Sequence, residues 1–399
     1  MKNITDISDV LQPAVEDKEA SIKGVDLYTL YQNKKEKLGL SDRKIQLLLG
    51  MDNKTLKPIL NGTAKQVNFI SLMKIANFIG LSVNAIAGAY VQQLSAQQIG
   101  EIQEARDSGY ILEHFDIKTL TKCGFINSHA SGREISKKIR DFFGYNSLYD
   151  YSEKSLTTLF SRTKRSSSEL MREFWVQSAF CQFKGINNPN EYDRNRLIEI
   201  LPRIKPYTRS IENGLISVLK ALFSVGVTVI YQPKLSKEQV RGATMIVNDK
   251  PCIVLSDIND HYPTLWFALL HELYHVLFDY ETIHSQTFHI TNDNVPDMYL
   301  IDEERADRFA EEYLLNGSKL KFISGYIDSN SIVTEYAAKW NIHPSIIYSI
   351  YCHHNTSKWK FYLKYVPSMK KALNYINTCP FDNDTLKDSV LKLKEFYNI

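Results

Sequence analysis

The histidines of His271-Glu272-Leu273-Tyr274-His275 stand four residues apart inside the apolar run FALLHELYHVLFD, residues 267–279. On a helix that spacing puts both rings on one face, one turn apart. Both imidazoles then reach a single Zn2+, whose nitrogen ligands lie about 2.0–2.1 Å away. Glu272 follows the first ligand and projects toward the open side of the metal. There it can take a proton from the attacking water and pass it to a leaving amine. The bland alternative is a buried amphipathic helix that carries these residues by chance, with polar groups left unpaired in an apolar run at a cost.

A peptidase site of this kind needs a third protein ligand. The candidate lies in IDEERADRFA, residues 301–310, from which Ala306, Phe309, Ala310 and, just beyond, Tyr313 and Leu314 recur at helical spacing. Glu303 and Asp307 then share the neighbouring face. Glu303 can bind the metal, and Asp307 can orient a ligand histidine through its free ring N–H. Alone, this acidic segment reads as a solvated helix face; the histidine pair ahead of it reverses that preference.

HELYH, the strand-rich lead-in GATMIVNDKPCIVLSDINDHYPTLWFALL and the later EERADRFAEEYLL resemble the ImmA/IrrE-type zinc metallopeptidase domain in order and spacing. The resemblance covers residues 212–354. It implies a gluzincin-like α+β zincin fold with His271, His275 and Glu303 on zinc and Glu272 as general base. Two departures stand out. Tyr274 occupies the place of a usual Gly and could narrow the cleft, and Asn316-Gly317 replaces the usual proline after the glutamate helix.

The chain has 399 residues, 44% hydrophobic and 12% aromatic, which is core material for two or three domains. Its five cysteines are scattered with no C-x-x-C pair, the pattern of a reduced cytoplasmic protein without a disulfide framework. No apolar run is long enough to span a membrane, and residues 1–24 read as a polar lead-in without a signal-peptide core. The overall charge of +3 hides a division. Residues 25–95 carry nine Lys/Arg against four Asp/Glu, and residues 257–316 carry two against thirteen. The first suits a phosphate backbone; the second suits a cation and repels DNA.

Residues 25–95 read as five short helices, over 26–38, 42–49, 53–60, 69–79 and onward from 83, punctuated by Gly39, Gly50, Asn61-Gly62 and Gly80. Two of them form a helix-turn-helix, whose second helix can enter the major groove of double-stranded DNA. SDRKIQLLLGMDNKTLKPILNGTAKQVNFISLMKIANFIGLSVNAI resembles the Xre/Cro-type DNA-binding family in its apolar pattern. By position Asn53, Lys54, Thr55 and Lys57 would face bases or phosphates, with Arg43, Lys44 and Lys65 on the backbone. Pro58 lies inside the second helix and is expected to bend it or confine base contacts to its first turn. One such motif reads only a short half-site, so a homodimer on a two-fold operator is expected.

Residues 96–205 read as a helical linker or dimerisation region (helices near 96–106, 134–143, 167–180 and 191–201) with a flexible basic loop at 162–168. The order of helix-turn-helix, helical middle and peptidase resembles HigA-type regulators fused to ImmA/IrrE domains. Residues 206–354 form the expected peptidase domain, with a helix near 211–223, strands near 227–231, 243–247 and 252–255, and a hairpin at Asn248-Asp249-Lys250. Residues 252–256 are the candidate rail for an extended substrate. A polar loop over 280–300 would hold His284 and His289 as candidates for oxyanion stabilisation. Cys352-His353-His354 is a poor chelate, because adjacent helical residues diverge by about 100°. Residues 355–399 are a basic, aromatic helical extension.

The expected fold class is therefore multidomain: an all-α helix-turn-helix domain, a helical middle region and an α+β zincin domain. Two functions compete. One is a zinc endopeptidase tethered to its locus by DNA, cleaving a partner protein (repressor, antitoxin or toxin) encoded nearby. The other is an antitoxin-like repressor whose peptidase-like domain only senses or binds a partner.

Overall fold

The structure, a computed structural model, describes residues 26–91, 94–153, 167–235, 240–256, 260–286, 288–292, 303–374, 376, 381 and 385–399. The lead-in 1–24, most of the basic loop 162–168 and Cys379 lie outside the described residues. Among the described residues the chain is mostly helical with one four-stranded sheet, and it divides into two compact units, Met1–Arg106 and Asp107–Ile399.

In the first unit α1 (Leu27–Leu38), α2 (Asp42–Leu49), α3 (Asn53–Leu60), α4 (Phe69–Ile79) and α5 (Val83–Val91) stand within a residue of their expected places. Asp26, Ser41, Asp52 and Asn68 start the first four by accepting a backbone N–H of the first turn. Gly50 ends α2 at φ +59°, a left-handed conformation that side chains resist. Pro58 does not break α3: the helix runs on to Leu60, and the Pro58 carbonyl accepts from the N–H groups of Thr63 and Ala64. Leu27, Tyr31, Ile45, Leu56, Ile59 and Ile75 meet in one core.

From α6 (Ala96–His114), which runs across the division, the chain continues into α7 (Ile117–Lys122), α8 (Gly132–Phe143), α9 (Ser167–Ile186), α10 (Arg194–Ile204) and α11 (Gly214–Phe223). Next come β1 (Thr228–Tyr231), β2 (Val240–Val247) and β3 (Lys250–Leu255). Asn248 and Asp249 both take positive φ and close the β2–β3 hairpin. There follow α12 (Tyr262–Phe278), α13 (Tyr280–Gln286), β4 (Phe288–Asn292), α14 (Glu303–Leu314), α15 (Gly317–Ser324), α16 (Asn330–Lys339), α17 (Pro344–His354) and α18 (Leu386–Tyr397). The first part of the expected 280–300 loop is thus a helix and a strand. Among the described residues no helix is long and apolar enough to cross a membrane.

The strand order is β1-β3-β2-β4, with β1 parallel to β3 and the other pairs antiparallel. β3 is internal, hydrogen-bonded on both sides, so it has no free edge and cannot be the substrate rail; β1 and β4 are the edges. β1 and β3 are buried at nearly every position, the mark of strands covered on both faces. Val229, Tyr231, Ile253 and Leu255 join the core that holds α11, α12 and α17. Ile230, Ala243, Met245, Cys252 and Val254 join Phe142, Phe174, Ala179 and Leu393 of α8, α9 and α18. The described helices α7, α8 and α9 are therefore no separate linker: they supply the layer behind the sheet, α18 completes it, and α10 joins the front core through Leu197 and Ile204. The expected boundaries near 206 and 355 fall inside this one unit.

Tyr397 ties that layer to the β1 edge. Its buried hydroxyl donates to the Val229 carbonyl and accepts from the Val229 N–H, and its ring stacks on Phe223 at 4.0 Å. Tyr397→Phe strands two buried backbone groups and should cost about 1–3 kcal/mol. Equilibrium urea unfolding checks this; an unchanged midpoint would show that the hydroxyl does not matter.

Candidate metal centre

α12 is buried along nearly its whole length, because it packs under the sheet on one side and against α14 and α17 on the others. Its apolar residues give it that position, and three of its polar residues travel inward with them. His271, Glu272 and His275 are 2%, 0% and 0% exposed, so each must find a partner inside.

They do. The Nε2 atoms of His271 and His275 lie 3.1 Å apart. Glu303, from the first turn of α14, reaches both: Oε2 is 3.2 Å from His271 Nε2 and Oε1 is 3.5 Å from His275 Nε2. A tetrahedral ion with ligands at about 2.0–2.1 Å needs its donor atoms about 3.3 Å apart. The three side chains thus form a group that could hold a metal ion. The outer ring nitrogens support this use. His271 Nδ1 meets Asp307 Oδ1 at 2.9 Å and His275 Nδ1 meets Asp279 Oδ2 at 2.8 Å. Each carboxylate takes the Nδ1–H, which leaves both Nε2 lone pairs facing the same point. Among the described residues this is the one such group.

The protein without a metal must manage that concentration of charge with protons. Burial pulls the His271 pKa down, but its hydrogen bonds to Asp307 and Glu303 and the charges of Glu272 and Glu303 outweigh it and raise the pKa to about 9.

Glu272 is held from β2. Thr244 Oγ1 donates to Glu272 Oε2 at 2.6 Å. A Cβ at Gly242 would come within 2.5 Å of Glu272 Oε1, so the strand passes this close only because position 242 has no side chain. His289 stands opposite Thr244 in the β2–β4 register. His284 turns away and pairs with Asp249 at the hairpin, 2.8 Å apart. Tyr274 packs its ring on Phe278 and Phe309, between α12 and α14.

Further along the seam between α12 and α14 lies a cavity of about 110 Å³, walled by Phe267, Ala268, Glu311, Ile350 and Trp359 among others. Phe267 is one turn from His271, on the same helix face. His354 gives its Nε2 to Glu311 at 2.7 Å, and Cys352 is buried away from it, so Cys352-His353-His354 forms no chelate. After α14, Asn316 caps α15 through the Lys319 N–H. In the first unit Arg43, Lys44, Asn53, Lys54, Thr55, Lys57 and Lys65 are all exposed.

Compared with protein-family models, curated proteins and solved structures, the chain matches none.

Sequence reasoning overlooked Asp279, Thr244 and Gly242. Asp279 was available from its spacing, four residues after His275. A glycine inside a strand pattern is also a sign of close approach, although nothing in the sequence said what approaches. Asp279→Ala should lower the affinity for a divalent metal about 10- to 100-fold, as measured by competition with a chromophoric chelator. A metal entering the wild-type group would displace a proton from His271. Apparent affinity should therefore strengthen as pH rises and level off above about 9; a flat profile between neutral pH and that value would contradict the raised pKa.

Proposed function

We propose that the chain is a DNA-binding regulator carrying a zinc-dependent endopeptidase, whose substrate is a specific partner protein such as a repressor, antitoxin or toxin. The observation that carries the reading is the enclosure of Glu272. This carboxylate is wholly buried beside a three-donor metal group and held by Thr244. A site that only holds a metal has no physical need for it.

Two imidazoles and a carboxylate are a donor set suited to zinc. When bound there, zinc would polarise the scissile carbonyl and make the attacking water more acidic. His271, His275 and Glu303 hold the ion, and Asp307 and Asp279 fix the ring tautomers. Glu272 accepts the proton of the water and delivers it to the leaving amine, while the surrounding apolar layer keeps other water out. β4, the sheet edge beside β2, offers main-chain groups to an extended substrate. The cavity near Phe267 takes one of its side chains. The resemblance to ImmA/IrrE-type peptidases supports the same assignment.

The first unit addresses DNA. α2, a tight turn and α3 present Asn53, Lys54, Thr55 and Lys57 on an exposed face, in the manner of the Xre/Cro family that the segment resembles. A dimer would read a two-fold operator.

Glu272→Gln keeps the size of the side chain, and the amide cannot accept a proton. Metal content and DNA affinity should survive, while partner cleavage falls by a factor of about 10² to 10⁴. Thr244→Val should lower cleavage less and also spare the metal. Partner integrity and reporter transcription decide between cleavage and mere sensing. If Glu272→Gln regulates like wild type while Glu303→Ala fails, the domain binds or senses and does not cut.

Removing Lys54 and Lys57 together should weaken operator binding. It should also lower the slope of log affinity against log salt by roughly 1.8, about 0.9 for each phosphate contact. An unchanged slope would move the DNA contacts elsewhere.

A further inference from the structure

The chain changes character after α14. Residues 317–371 carry eight lysines against two acids, directly after a stretch with thirteen acids against two basic residues. Aromatic rings accompany the lysines. Phe322 of α15 lies 5.5 Å from Tyr326 and 4.9 Å from Tyr336, and Tyr336 lies 5.3 Å from Trp340. These four rings form a continuous row on α15, α16 and the turns that follow each helix. Lys319 Nζ sits 5.6 Å over the Trp340 ring and Lys339 Nζ 4.6 Å over Tyr336. Lys339 also pairs with Glu335 at 2.7 Å. A second group adjoins the row, because the Tyr362 hydroxyl donates to Asp328, two residues beyond Tyr326, at 2.5 Å. Next to Tyr362 in sequence stands Phe361, with Lys358 and Lys360 at 5.7 and 4.9 Å from its ring.

Phe322, Tyr326 and Phe361 remain 44%, 47% and 53% exposed. One such ring needs no explanation. A row of them interleaved with lysines, in a segment with almost no acids, combines the two things a single-stranded nucleic acid requires. Cations meet its phosphates, and open ring faces stack with its bases. In a duplex the bases are stacked on each other and unavailable to these rings.

We propose that the α15–α16 surface, extended by residues 358–364, binds single-stranded nucleic acid. The site is separate from the duplex contacts assigned to the first unit and does not depend on the peptidase reading.

The test uses the full-length chain carrying Lys54→Ala and Lys57→Ala, which removes the expected duplex contacts. Fluorescence anisotropy follows a labelled oligo-dT of about 20 nucleotides, long enough for one site of this type. Binding should persist in that background and weaken about tenfold or more with Phe322→Ala plus Tyr326→Ala. Lys319→Ala plus Lys321→Ala should reduce the salt slope, with the melting temperature near that of the parent. The rings are exposed, so their truncation spares the core; Tyr326→Trp, which keeps a stacking face, should restore binding to the Tyr326→Ala single variant. Absence of oligo-dT binding overturns the proposal. So does binding that survives loss of both rings, or competition by polyglutamate as effective as by unlabelled oligo-dT, either of which would mark a charge-only surface for acidic proteins.

Discussion

Two imidazoles and a carboxylate cannot sit in an apolar layer unless every polar atom is answered, and the second unit is arranged around that demand. Lone pairs gathered within 3.5 Å of one another repel, and a proton or a cation must lie among them. The outer carboxylates, Asp307 and Asp279, come from two different elements and reach the rings from outside. α14 has to run along α12 in the register that brings Glu303 and Asp307 into place together. Thr244 has to arrive from the opposite side. The helix, the sheet and the glutamate helix are therefore constrained by one another through a handful of hydrogen bonds.

The sheet adds a second constraint. A four-stranded sheet with apolar residues on both faces cannot stand on one helix layer. α12 and its neighbours cover the front, while α8, α9 and α18 cover the back. A buried polar contact joins the back layer to the end of β1: Gln182 of α9 donates to the Gln232 side chain at 2.8 Å, and Gln232 donates to the Trp175 carbonyl at 2.7 Å. Segments distant in sequence thus fix the same small sheet from which Thr244 reaches Glu272.

Legibility varied with the distance between a signal and its meaning. The helices of the first unit were readable almost to the residue, because caps such as Ser41 and Asp52 and a stop such as Gly50 are local. The metal group was readable because helical spacing places His271 and His275 within one turn. The role of residues 107–205 was not. Its cue lay in β1 and β3, whose unbroken apolar runs call for cover on both faces, and not in the segment itself. The segment 280–300 looked like a loop because it is polar, yet β4 pairs along the edge of β2 where its backbone, not its side chains, decides. Residues 252–256 read as a substrate rail because strand order is invisible until pairing is known.

The position of α18 has a consequence for how the protein is made. Chains emerge from the ribosome from the N-terminus at about 5–20 residues per second. When His271 and His275 have emerged, the strand edge at Val229 and part of the back of the sheet still await residues 386–397. Between those moments the chain carries an open strand beside exposed apolar surface, the condition that favours wrong pairing. A nascent domain of this kind gains its last protection only after more than a hundred further residues have followed His275. Synthesis itself thus separates the arrival of the metal donors from the closing of the sheet that Thr244 belongs to.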